Sequence, residues 1–337
     1  MTAKRSALKR KHLLGMAELS REDITQILET AASIREINYR DIKKVPTLRG
    51  KTVINLFFEN STRTRTSFEL AGKRMSADVI NISVASSSVA KGETLIDTMI
   101  TLQAMNPDVV VVRHAEPGVH AFLARHMDTA VVNAGDGGHE HPTQSLLDML
   151  TIEDNLHRLN RKNFEGLVVA ICGDVLHSRV ARSNAIGLRT MGAQVRLVGP
   201  PTLMPRFAEE ALGARVFHDL DQGLADAQVV MVLRLQLERM HTAFIPSIRE
   251  YFKFWGLNRR RLAHAAPGAL VMHPGPVNRG VEISSELTDD PERTVILDQV
   301  ANGLAIRMAV LYRLCSGRVT VEKESVASAP DEKGPFP

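Results

Sequence analysis

The sequence predicts an α/β protein built from two doubly wound parallel-sheet domains. Short apolar, β-branched runs, such as residues 52–58 and the four valines at 109–112, alternate with segments whose apolar residues recur at helical spacing. A polar stretch at 155–165 separates this pattern from a second one, which starts with the apolar run at 167–172. Strands that alternate with helices form parallel sheets, so each half of the chain is expected to form its own sheet.

The stretch after the first strand carries the strongest chemical signal. Residues 60–69 read Asn-Ser-Thr-Arg-Thr-Arg-Thr-Ser-Phe-Glu and open a helix. The unpaired N–H groups and the dipole at a helix start favour an anion. Further donors come from hydroxyl and guanidinium side chains: Ser61, Thr62, Arg63, Thr64 and Arg65. An N-cap beside two solvated arginines is the simpler alternative, but this density of donors favours a phosphate or oxyanion cradle.

Polar side chains also follow later strands. Arg113 closes the four-valine run, and Arg179, Arg234 and Gln236 lie beyond strands of the second half. The turn at 273–276 reads His-Pro-Gly-Pro, a sequence that fixes the backbone and can present carbonyl oxygens. Because open α/β sheets bind ligands beyond the carboxyl ends of their strands, these residues are candidates for one site.

Two other kinds of site are weaker interpretations. His139 and His141 have a spacing that can share a zinc ion, but no third ligand cluster supports them, so no metal is expected. The glycine after the strand at 167–172 lacks the G-x-G-x-x-G dinucleotide pattern, and no P-loop pattern occurs. No cofactor is therefore expected.

Three motifs resemble signatures of the aspartate and ornithine carbamoyltransferases. They are Ser-Thr-Arg-Thr-Arg at 61–65, the Ser-x-x-x-Lys-Gly-Glu-Thr loop at 87–94, and His-Pro-x-Gln-x-x-x-Asp at 141–148. A capping turn with an incidental histidine explains the last motif less well, and a solvated loop is the simpler alternative for the second. The resemblance covers nearly everything from residue 11 to about 318, with the motifs in the family's order.

Two further motifs resemble the aspartate branch of this family. His-Pro-Gly-Pro at 273–276 and Arg-x-Gln at 234–236 stand where ornithine members have His-Cys-Leu-Pro and an acidic loop. Arginines suit a second substrate with two carboxylates, whereas an ornithine ammonium group would favour an acid. The resemblance implies carbamoyl transfer from carbamoyl phosphate to the α-amine of L-aspartate, an early step of pyrimidine biosynthesis. A carbamoyltransferase for another amino acid, such as ornithine, and a non-catalytic scaffold are the alternatives.

The resemblance also implies roles for individual residues. The catalytic set would be Arg63, Thr64, Lys91, Arg113 and His141. Carbamoyl phosphate would be bound by a larger set: Ser61, Thr62, Arg63, Thr64, Ser87, Lys91, Arg113, His141, Gln144, Gly275 and Pro276. Aspartate would be bound by Lys91, Arg179, Arg234 and Gln236. In the family the loop that carries Ser87 and Lys91 crosses to a neighbouring subunit, which implies a homotrimer with shared active sites.

The remaining expectations concern organisation and surroundings. Residues 1–150 would bind carbamoyl phosphate, residues 151–297 would bind aspartate, a helix at about 298–318 would return to the first domain as one of the interdomain helices, and 322–337 would form a disordered tail. A net charge of +4 and only 4% aromatic residues argue against nucleic-acid binding. No apolar run predicts a membrane span, and the two cysteines suit a reducing cytoplasm. Regulatory or dihydroorotase-type partner chains are also compatible with the resemblance.

Overall fold

The computed structural model describes residues 10–83, 92–236 and 244–316. Residues 84–91, which include Ser87 and Lys91, and the expected tail at 322–337 lie outside these residues. Within the described part, no helix is long and apolar enough to cross a membrane.

The first half of the chain forms a four-stranded parallel sheet with the strand order β2-β1-β3-β4. Its strands are β1 (Thr52–Phe57), β2 (Asp78–Ser83), β3 (Val109–His114) and β4 (Ala130–Asp136). The four valines of β3 are completely buried, as expected for a central strand that helices cover on both faces.

The second half forms a five-stranded parallel sheet with the order β7-β6-β5-β8-β9. Its strands are β5 (Val168–Cys172), β6 (Gln194–Val198), β7 (Arg215–Phe217), β8 (Val229–Val232) and β9 (Leu270–Met272). In both sheets the strands run in one direction, so their carboxyl ends meet at one edge.

Twelve α-helices accompany the sheets in the described residues. They are α1 (Arg21–Ile34), α2 (Thr62–Arg74), α3 (Leu95–Ala104), α4 (Val119–His126), α5 (Pro142–Asp154), α6 (Arg179–Thr190), α7 (Ala208–Leu212), α8 (Leu220–Leu224), α9 (Ile248–Trp255), α10 (Arg259–Leu262), α11 (Ser285–Thr288) and α12 (Ile296–Ser316). Helix α1 begins with a capping box between Ser20 and Asp23. Helices such as α10 and α11 are too short to show helical periodicity, which is why the sequence pattern did not predict them.

Two helices connect the halves. Helix α5 packs against α6 of the second half, where Gly187 lets Ser145 and Met149 approach the α6 backbone. Helix α12 starts next to the second sheet and packs against α1, α2 and α5. One continuous apolar core therefore runs through both halves. The predicted class, two doubly wound parallel-sheet domains joined by interdomain helices, is confirmed.

Candidate active site

A pocket of about 930 Å³ lies where the carboxyl ends of the two sheets face each other. Five arginines line it: Arg63, Arg113, Arg179, Arg234 and Arg307. Among the described residues, no aspartate or glutamate belongs to the lining. A pocket with this excess of cationic donors is suited to ligands that carry several negative charges.

The start of α2 forms one wall of the pocket. Ser61 is the N-cap, and its hydroxyl makes no capping hydrogen bond, so it remains able to donate to a ligand. The first turn contains no acidic residue that would occupy the free N–H groups. Arg63 projects from this turn against the backbone of Gly275, where φ is +65° and a Cβ atom would collide with the guanidinium group. Partial burial, and secondarily the charge of Arg234, lower the pKa of Arg63.

A carboxylate bridges two of the arginines across the domain boundary. Glu59 Oε1 accepts a hydrogen bond from Arg113 Nη2 at 3.0 Å, and Glu59 Oε2 accepts one from Arg179 Nη1 at 2.9 Å. Both guanidinium groups pack against Gly135, which has a φ of +118° and no room for a Cβ atom. Arg113 is the penultimate residue of β3 and Arg179 begins α6, so Glu59 links the first half of the chain to the second.

His141 caps the start of α5 and is 5% exposed. Its backbone N–H donates to Ser183 Oγ at 2.8 Å, and that hydroxyl donates to the buried Glu140 at 2.5 Å. Burial first, and then the charges of Arg179 and Arg113, hold the pKa of His141 well below its usual value. The imidazole is therefore neutral near pH 7 and can act as a hydrogen-bond donor.

The far wall comes from the second half of the chain. Arg234 and Gln236 follow β8, and Arg234 Nη2 donates to Gln236 Oε1 at 3.2 Å. The Gln236 N–H donates to the buried Asp174 at 3.2 Å, which holds this segment close to the end of β5. The turn that contains Gly275 and Pro276 follows β9 and completes the wall.

Helix α12 supplies the fifth arginine. Arg307 is 5% exposed, donates to Ser67 Oγ at 3.0 Å, and lies over the Phe68 ring at 5.2 Å. Burial lowers its pKa to about 10, which leaves it cationic at neutral pH.

Most residues predicted for the site lie around this one pocket. The lining includes Ser61, Thr62, Arg63, Thr64, Arg113, His141, Gln144, Arg179, Arg234, Gln236, Gly275 and Pro276. Ser87 and Lys91 lie outside the described residues. His139 is absent from the lining and instead pairs with Asp136 at 3.1 Å.

Sequence reasoning missed Glu59, Asp148 and Arg307. Arg307 had a detectable signal, because its charge lies between apolar residues of a long helix. Asp148 ends the third motif, one helical turn after Gln144, but was given no role. Nothing in the sequence around Glu59 indicated a role for it, since acidic residues are common between a strand and a helix.

Comparisons with known proteins agree with this architecture. The family description "Aspartate/ornithine carbamoyltransferase, carbamoyl-P binding domain" matches residues 11–154, and the corresponding "Asp/Orn binding domain" matches residues 165–314. A protein of Magnetococcus marinus named aspartate carbamoyltransferase catalytic subunit is 66% identical over 94% of this chain and 96% of its own length. A protein of Beijerinckia indica with the same name is 58% identical over 90% of this chain and 94% of its own length.

Solved structures show the same fold. The aspartate transcarbamoylase of Trypanosoma cruzi, in complex with carbamoyl phosphate and aspartate, superposes with a TM-score of 0.80. It is 31% identical and covers 91% of this chain and 97% of its own. With both halves matched by the family and relatives similar along nearly their whole length, the chain belongs to the aspartate/ornithine carbamoyltransferase family.

Proposed function

We propose that this chain transfers the carbamoyl group of carbamoyl phosphate to the α-amine of L-aspartate, giving N-carbamoyl-L-aspartate and phosphate. The observation that carries the proposal is the pocket itself, in which five arginines and no acidic residue line the described walls. One substrate is an acyl phosphate and the other a dicarboxylate, so both match this charge. An acceptor with a side-chain ammonium group, such as ornithine, would meet arginines where it needs an acid.

The positions of the side chains support a division of roles. Ser61, Thr62, Arg63 and Thr64 surround the free N–H groups at the start of α2 and would hold the phosphate. Arg179, Arg234 and Gln236 lie on the opposite wall and would hold the carboxylates of aspartate. Ser87 and Lys91, by resemblance, would come from a neighbouring subunit of a homotrimer.

The reaction depends on hydrogen-bond donors to the carbonyl oxygen and does not require a general base from the protein. The neutral amine attacks the carbonyl carbon, a C–N bond forms, and negative charge develops on the carbonyl oxygen. Thr64, Arg113 and the neutral His141 are the donors for that oxygen. The carbamoyl C–O bond then breaks, and the departing phosphate can take the proton from the amine. The chain's own groups, with both substrates held together, would be sufficient for this chemistry without a cofactor.

The wider context is part of the same proposal. A carbamoyl-phosphate-binding domain at 1–150 and an aspartate-binding domain at 151–297 would meet at the pocket. The product would enter pyrimidine biosynthesis in the cytoplasm, and regulatory or dihydroorotase-type chains could join the assembly.

A colorimetric assay for carbamoylated products, run with aspartate, ornithine and other amines, tests the proposal. We expect product with aspartate and only background with ornithine. Product with ornithine alone would support the other branch of the family, and none with any amine would support a scaffold role.

A further inference from the structure

One buried carboxylate organises three side-chain amides behind the pocket. Asp148 lies on α5, one turn after Gln144, and is completely buried. Its oxygens accept hydrogen bonds from Gln144 Nε2 at 3.0 Å, Gln299 Nε2 at 2.7 Å and Asn184 Nδ2 at 2.7 Å. These donors belong to α5, α12 and α6, so the carboxylate lies where the two halves of the chain meet.

An ionised carboxylate can only accept hydrogen bonds, and this fixes how each amide is turned. Each –NH2 group must face Asp148, and each amide oxygen must therefore face away from it. Gln144 lines the pocket, and its Oε1 forms no hydrogen bond within the described part of the chain. That oxygen is consequently free to accept a hydrogen bond from a ligand.

Gln299 connects Asp148 to the opposite wall of the pocket. Gln299 Oε1 accepts the backbone N–H of His273 at 2.9 Å, at the start of the His-Pro-Gly-Pro turn. His273 is also tied within the turn, because the N–H of Gly275 donates to its Nδ1 at 2.8 Å. Asp148 thus orients Gln144 directly and, through Gln299, is linked to the backbone N–H of His273 at the start of the turn that lines the pocket.

We propose that Asp148 is a positioning residue that selects the carbamoyl group by turning only hydrogen-bond acceptors toward its –NH2. This inference rests on the proposed function. An acyl phosphate with –CH3 in place of –NH2 has nothing to donate and would leave these acceptors unpaired. The site would therefore discriminate carbamoyl phosphate from acetyl phosphate through a residue that touches neither.

The test is a ratio of two dissociation constants, acetyl phosphate over carbamoyl phosphate, measured by calorimetry at pH 8 without aspartate. Asp148→Asn keeps the shape but replaces one acceptor oxygen with –NH2. Asn184 Nδ2 is also held by the Val180 carbonyl at 3.1 Å, and Gln299 Oε1 by the His273 N–H at 2.9 Å, so we expect Gln144 to be the amide that turns. We expect the ratio to fall about tenfold, equivalent to one hydrogen bond of about 1.4 kcal/mol. Asp148→Ala, which holds neither glutamine, should lower it at least as much.

Two further variants separate positioning from general support of the fold. Asn184→Ala removes the one amide that does not lead to the pocket, so the ratio should stay within about twofold of wild type even if the melting temperature falls. The double variant D148N/N184D exchanges the amide and the carboxylate between the two positions. The new amide on α5 can then donate to the new carboxylate on α6 and turn its oxygen back to the glutamines, so the ratio should recover even though the hydrogen bond from residue 184 to the Val180 carbonyl is lost and the melting temperature falls.

The inference is overturned if D148N and D148A both keep the wild-type ratio. It is equally overturned if they weaken inorganic phosphate, acetyl phosphate and carbamoyl phosphate by one common factor. These outcomes do not depend on turnover. A wild-type chain that binds carbamoyl phosphate selectively but transfers nothing to aspartate would contradict the proposed function and leave the inference about Asp148 standing.

Discussion

Replacing Arg63 with alanine should abolish most of the activity without unfolding the protein. Arg63 projects into the pocket from the first turn of α2 and forms no hydrogen bond or ion pair with other described residues. Its removal therefore deletes a donor for phosphate and leaves the core intact. Loss of one preorganised donor to a charge that develops in the transition state costs about 3–4 kcal/mol, so kcat should fall about 100- to 1000-fold.

Arg65 provides the matched control on the same helix. It belongs to the same motif, but it is absent from the pocket lining. Arg65 lies two residues further along α2, and of the two arginines only Arg63 lines the pocket. Arg65→Ala should keep kcat within about threefold of wild type.

Product formation and thermal melting, measured on both variants, decide the matter. We expect both melting temperatures to stay within about 2 °C of wild type, since substitutions outside packed contacts change stability by about 0.5 kcal/mol or less. If Arg63→Ala is as active as Arg65→Ala, or if its activity disappears only because it melts much earlier, the reasoning is wrong.

Three other expectations follow from the same geometry. Arg234→Ala should raise KM for aspartate about 30- to 100-fold, because about 2–3 kcal/mol of charge-assisted hydrogen bonding is lost, and should change KM for carbamoyl phosphate little. Equal effects on both KM values would contradict the assignment of Arg234 to aspartate binding. Burial raises the pKa of Asp148 from 3.8 to about 6, so its stabilising contribution is present below pH 3.8 and lost as the pH rises through about 6. The unfolding free energy of Asp148→Asn, minus that of wild type, should thus rise by about 2 kcal/mol between about pH 4 and pH 7, and a pH-independent difference would refute this. Lys91→Ala and His141→Ala, each nearly inactive, should regain a sizeable fraction of activity when dissociated, mixed and reassociated, whereas sites built from single chains would stay inactive.

Residues that the sequence analysis grouped lie around one pocket because parallel strands share one carboxyl edge. Arg113, Arg179, Arg234 and the turn at Gly275 are far apart in the chain, yet each lies at or beyond the carboxyl end of a strand, and that was sufficient to group them. An anion-binding start of α2 could also be predicted from the sequence, because the N–H groups of a helix start and the hydroxyl side chains beside them are local features.

Residues whose role depends on distant neighbours could not be predicted. Glu59 matters because Arg113 and Arg179 converge on it, and that contact exists only after the two halves have packed. Arg307 reaches Ser67 across 240 positions of sequence. Arg63 lines the pocket and Arg65 does not, a difference that composition and spacing within the motif did not predict.

The return of α12 to the first half of the chain has a consequence for biosynthesis. A nascent chain that ends before residue 296 lacks the apolar residues of α12 that cover α1, α2 and α5, such as Ile306, Met308 and Leu311. The amino-terminal half would leave the ribosome first, with part of its core exposed to water. Its pocket would also lack Arg307, which belongs to α12. Productive folding must therefore wait for almost the whole chain, and a premature stop should yield an aggregating fragment instead of a half-active one.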